Sequence, residues 1–109
     1  VADVIKVLGQ AAPSTATTTD LYAVPDLNQT TVSSLVVCNR TSGALTFRVS
    51  IHVAGASADN KQYLYYDKSV AANDTFSAVL GLTLAQSDEV KVRPSADGLS
   101  FNMFGVETS

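Results

Sequence analysis

Few residues in this chain could carry a reaction. His52 is the single histidine and Cys38 the single cysteine. Imidazole is the side chain that titrates nearest neutrality, so His52 is the first candidate for a general base. It lies between Ile51 and Val53, on what alternation makes the outward face of a strand. No serine or cysteine motif for nucleophilic attack accompanies it. An exposed or interface polar residue is therefore the reading favoured for His52. Cys38 ends the apolar run Leu35-Val36-Val37-Cys38. A thiol buried in a strand behaves as a small, inert hydrophobe.

The carboxylates are Asp59, Asp67, Asp74, Asp88 and Glu89, with others scattered, and several fall in loops. Their spacing matches no calcium loop, and solvated loop acids are expected. Paired carboxylates for glycoside hydrolysis have no positive support. No metal ligand set and no cofactor motif is found. The triplets Asn28-Gln29-Thr30, Asn39-Arg40-Thr41 and Asn73-Asp74-Thr75 match the N-glycosylation sequon. In a chain rich in Thr and in Asn turns they are read as turn chemistry. The most suggestive group is Tyr63, Tyr65 and Tyr66. Strict alternation puts Tyr63 and Tyr65 on one face and Tyr66 on the other. Tyrosine buries a large ring while keeping a hydroxyl for hydrogen bonding, so it favours interfaces. Capping the ends of the core would use the same rings. With the outward-facing Arg48 and His52, these tyrosines form the set of candidate interface residues.

Composition narrows the function further. A net charge of −3 and a pI near 4.8 leave no basic footprint for nucleic acid or for an anionic membrane surface. No apolar run approaches the length that spans a bilayer. Asp3 and Lys6 interrupt what would be the apolar core of a signal peptide, although a mature chain could have lost one. With one cysteine and no tryptophan, the antibody-type cysteine pair and core Trp are absent. Packing alone must hold the fold, and a bare thiol points to a reducing compartment of synthesis.

The elements that must position these residues are strands. Thr and Val fit a pleated surface, and no segment keeps a period near 3.6. The fourth strand is the clearest: Leu45, Phe47, Val49, Ile51 and Val53 alternate with Thr46, Arg48, Ser50 and His52. The first set should face a core and the second solvent or a partner. Other strands are expected at Val4–Leu8, Leu21–Val24, Thr31–Asn39, Gln62–Asp67, Thr75–Leu80 with a continuation or kink at 81–84, Val90–Arg93 and Leu99–Val106. The loop 94–98 reads as a hairpin connection, with Gly98 where positive φ is easiest. The small, polar segment 9–19 is an extended arm or a long surface connection. These 109 residues make one domain, 1–109, an all-β antiparallel β-sandwich of about eight strands, jelly-roll or Ig-like.

Several phrases together resemble small virion proteins of tailed bacteriophages. They are Val7-Leu8-Gly9-Gln10, Leu21-Tyr22-Ala23-Val24-Pro25, Val32 to Arg40, Phe47-Arg48-Val49-Ser50, Tyr63-Leu64-Tyr65-Tyr66-Asp67, Asn73-Asp74-Thr75-Phe76 and Leu99-Ser100-Phe101-Asn102. The resemblance spans nearly the whole chain and carries no catalytic signature. It implies a non-enzymatic structural protein of the virion. The leading form is a capsid decoration (cement) protein, a symmetric homo-oligomer that binds other virion proteins, the major capsid protein above all. A tail or baseplate component is the second form. A carbohydrate-binding module is the alternative of another class, with Tyr63, Tyr65 and Tyr66 as its only aromatic platforms. A hydrolase ranks last.

Overall fold

Strand alternation points toward the architecture: strands that turn an apolar face inward can bury it together when two sheets stack face to face. The computed structural model describes residues 2–109. Eight strands run in chain order: β1 (Asp3–Ala11), β2 (Thr19–Ala23), β3 (Gln29–Asn39), β4 (Leu45–His52), β5 (Tyr63–Val70), β6 (Thr75–Leu84), β7 (Glu89–Pro94) and β8 (Leu99–Thr108). Sheet one has the order β1-β8-β3-β6 and sheet two the order β2-β7-β4-β5, all pairs antiparallel. This order, with consecutive strands crossing between sheets everywhere except β4–β5, is the jelly roll. Of the two sandwich types expected, the topology selects it.

The hairpin expected at 94–98 is corrected. β7 and β8 lie in different sheets, so the loop is a crossing between layers. Turn chemistry reports a reversal of the chain and is blind to which sheet the next strand joins. The glycine expectation stands: Gly98 has φ +127°, and a Cβ there would meet Thr41 Cγ2 at 2.2 Å. Segment 9–19 divides. Residues 9–11 complete β1, and the connection to β2 is tied to the β7–β8 crossing. Ala16 donates its N–H to the Pro94 carbonyl at 3.0 Å, and Thr15 donates its N–H to Asp97 at 2.6 Å.

The core fills the space between the sheets. Phe47, Val49, Val90 and Val92 from sheet two meet Val32, Leu35, Val37, Leu99, Phe101 and Met103 from sheet one. Phe47 is fully buried and meets Phe101 edge-on at 5.9 Å between ring centroids. The inward set expected on the fourth strand is correct at its centre, with Phe47 and Val49 buried. It fails at the end: Val53 lies beyond β4, in a 3-10 turn, and is 68% exposed.

Asn39 plugs the end of the sandwich. Its buried side chain donates to the carbonyls of Gly43, Val70 and Ala71 and accepts from Thr41 N–H and Oγ1. The sequon at Asn39 is thus turn chemistry, as expected, and its amide is fully engaged.

Candidate interaction surfaces

The tyrosine cluster is built by two irregularities in β5. Phe47 pairs with Lys68, Val49 with Tyr65, and Ser50 with Tyr63. Two steps on β4 therefore face three on β5, and one further step faces two. Each mismatch is a β-bulge, which inserts a residue and reverses which side chains point outward. Asp67, at φ 56°, marks the first. The alternation expected for the tyrosines is corrected accordingly. Tyr65 turns to the core edge, its ring 5.8 Å from Phe47 and 5.4 Å from Phe76. Tyr63 and Tyr66 come together instead, edge to face at 4.9 Å. Sequence spacing carries no signal for a bulge here, because no glycine or proline stands in 63–70.

Arg48 joins this pair. Its guanidinium lies 4.1 Å from the centroid of the Tyr66 ring, a cation–π contact. Asp67 holds the same guanidinium through two bonds, Nε to Oδ1 at 2.8 Å and the terminal nitrogen to Oδ2 at 3.3 Å. The hydrogen bond from Arg48 lowers the Asp67 carboxyl below its ordinary range, and the same bond raises the arginine. The bridge is solvent-screened, so it fixes geometry more than it stabilises the fold. Tyr66 remains 59% exposed, on β5, the edge strand of sheet two. The result is a preformed tyrosine–arginine cluster at an open sheet edge. Tyr and Arg are residue types enriched at interface hot spots, and here the Asp67 bridge and the ring contact hold the two against each other.

His52 does not belong to that surface. It does share the outward side of β4 with Ser50, as alternation requires, but it is only 3% exposed. The segment after β4 folds back, so that His52 Nδ1 meets the Ala56 carbonyl at 2.9 Å and Nε2 meets Ser50 Oγ at 2.8 Å. The expectation of an exposed or interface His52 is corrected: a non-repetitive segment covers it, and strand periodicity cannot register such a cover. Asp88 is a second correction, since it is buried and not solvated. It accepts the N–H groups of Ala54 and Ala85, each at 2.9 Å, and so joins two loops.

Other surfaces offer little for chemistry. An open apolar recess is lined by Ile51, Val53, Ala56, Lys61, Gln62 and Leu64. Among the described residues, Lys61 is the one ionisable group that lines it. Among the described residues no group of three or more His, Cys, Asp or Glu side chains is placed to hold a metal ion. No described helix is long and apolar enough to cross a membrane.

No protein family and no curated protein matches the sequence. Among solved structures, the chain is similar to a chain of the infectious bursal disease virus Gx strain, with a TM-score of 0.58 and 11% identity over 97% of this chain and 32% of that one. A chain of the Gt strain of the same virus gives a TM-score of 0.49 and 10% identity, over 96% of this chain and 32% of that one. This protein therefore spans about a third of the length of the viral chains it matches. What the Gx-strain likeness shows is a shared fold.

Proposed function

We propose that this protein is a non-enzymatic structural component of a virus particle, a capsid decoration protein of a tailed bacteriophage, acting through protein–protein contacts in many copies. The observation that carries the reading is the Arg48–Tyr66–Tyr63 cluster: a hot-spot composition on an open strand edge, with the neighbouring Asp67 carboxylate engaged by Arg48. Two further observations support it. The jelly roll is a fold common in viral capsids, and nearly the whole chain follows one from a virus structure. The phrases quoted above resemble tailed-phage virion proteins along the same length. A protein that binds the assembled shell and not its dispersed subunits stabilises the shell by mass action, with no active site. Sugar binding is less well supported, because Arg48 already covers one face of the Tyr66 ring.

Purified particles test this. Separated capsids and tails are assayed for the protein by mass spectrometry, and particles lacking it are heated while DNA release is followed. Presence on capsids and earlier DNA release in its absence are expected. Presence only on tails, with capsid stability unchanged, makes it a tail component. Absence from all particles removes the virion role.

A further inference from the structure

The outer face of sheet one is a surface of another kind. Alternation along its strands sends one residue of each pair away from the core, and these residues align in rows. Val7, Phe104, Ser34 and Val79 form one row across β1, β8, β3 and β6, and Ile5, Val106, Thr31 and Thr83 form the next. A third row is Gln10, Asn102, Val36 and Ser77. None of these positions carries a charge. Two of the apolar side chains are almost wholly uncovered, Ile5 at 85% and Val79 at 93% exposure. Among the described residues charge lies at the two ends, Asp3 at one and Arg40 with Asp74 at the other. Asp3, which accepts from Thr108 Oγ1 at 2.9 Å, lies beyond the Ile5 row. Arg40, which donates to Ser100 Oγ at 2.8 Å, lies at the opposite end.

We propose that this face docks the same face of a second copy of the chain, with the strands of the two copies antiparallel. The charge pattern selects the occupant and its orientation. In an isologous contact each patch meets itself, so a face with charges at its centre would bring like against like. Here the centre is uncharged, and nothing ionic is buried without a partner. A two-fold axis across the strands sets Asp3 of each copy over the Arg40 end of the other. An axis along the strands would carry Asp3 to the β6 edge of the other copy, away from Arg40, and would bring the two Arg40 side chains, beside the central strands β3 and β8, toward each other, which is unfavourable. Two such sheets stack about 10 Å apart, as in a β-sandwich. The area suffices. Four strands at about 4.8 Å and about eight residues at about 3.3 Å cover roughly 500 Å² per copy. The total, about 1,000 Å², is the lower bound for a specific interface, so the dimer is a weak one. This contact concerns the isolated chain and does not depend on incorporation into a particle.

Sedimentation equilibrium on the purified full chain, from about 1 µM to about 500 µM, covers the weak end of interfaces this small. The mass should rise from monomer to dimer. Val79→Glu and Ile5→Glu should each weaken association at least about ten-fold, with the strand-type circular dichroism unchanged. Ser77→Arg, on the same face, replaces either variant if it perturbs the sheet. Asp3→Arg and Arg40→Asp should each weaken the dimer, and the double swap should restore it. A monomer at every concentration overturns the proposal. So does a dimer that survives Val79→Glu and Ile5→Glu but is lost with Val53→Glu, in the apolar recess of the other sheet. Failure of the double swap to recover the dimer overturns the antiparallel arrangement.

Discussion

Tyr22 on β2 donates its hydroxyl hydrogen bond to Glu107 on β8 at 2.5 Å, joining the two sheets at one end of the sandwich. Thr30 Oγ1, 2.7 Å away, completes the pair by donating to the phenol oxygen, whose own proton is committed to Glu107. Lys6 reaches the other carboxylate oxygen at 3.2 Å. Burial, and then the bond to Glu107, push the phenol up to about 12. The bond from Tyr22, and then that from Lys6, hold Glu107 below its ordinary carboxylate value.

This arrangement makes stability fall in acid. A carboxyl depressed in the folded state is stabilising above its unfolded value of 4.5, and the contribution is lost as pH falls through the depressed one. Glu107→Gln should therefore flatten the dependence of melting temperature on pH below about 4.5. The raised Tyr22 acts at the other extreme, stabilising below pH 10 and ceasing to do so as pH rises toward about 12. Tyr22→Phe should cost about 1–3 kcal/mol near neutrality, measured by urea unfolding.

Asn39→Ala should be among the costlier polar substitutions. It strands three carbonyls and the Thr41 donors at a site only 1% exposed. A loss of about 2–4 kcal/mol is expected in urea unfolding, with Asn39→Asp also destabilising because a carboxylate cannot donate.

Phe47→Ala should cost about 3–5 kcal/mol, the penalty of an aromatic cavity in a packed core. The ring is fully buried and touches Tyr65, Phe76 and Phe101. Chemical denaturation measures the loss. A change below about 1 kcal/mol would mean that the core collapses around the site far more readily than its packing indicates.

Arg48→Ala and Tyr66→Ala separate stability from function. Both side chains are on the surface and their mutual contact is solvent-screened, so each should shift stability by less than about 1 kcal/mol. Incorporation into particles, read by quantitative mass spectrometry, should fall for both. Tyr65→Ala serves as the contrast: its ring packs on Phe47 and Phe76, so it should destabilise the domain directly.

Chelator treatment should leave the melting temperature unchanged. The acids grouped by sequence go to separate tasks: Asp67 to Arg48, Asp88 to two backbone N–H groups, and Asp59 to the turn before β5.

Strand content, the two-layer class and the central core residues of β4 were legible in the amino-acid order alone. Each depends on a period-two pattern of side-chain polarity, a local property of a pleated chain. The turn roles of Asn39 and Gly98 were legible for a similar reason, since amide and glycine chemistry at chain reversals is local. Three matters were decided only in three dimensions. The jelly-roll order, including the crossing at 94–98, depends on which strands pair across long sequence separations. The burial of His52 and Asp88 depends on where the irregular segments between strands come to rest. The union of Tyr63 with Tyr66 and Arg48 depends on two bulges in β5 that shift its register against β4. A bulge moves every later side chain to the opposite face at no visible change in composition, so the surface that a partner would meet exists only once the strands have paired.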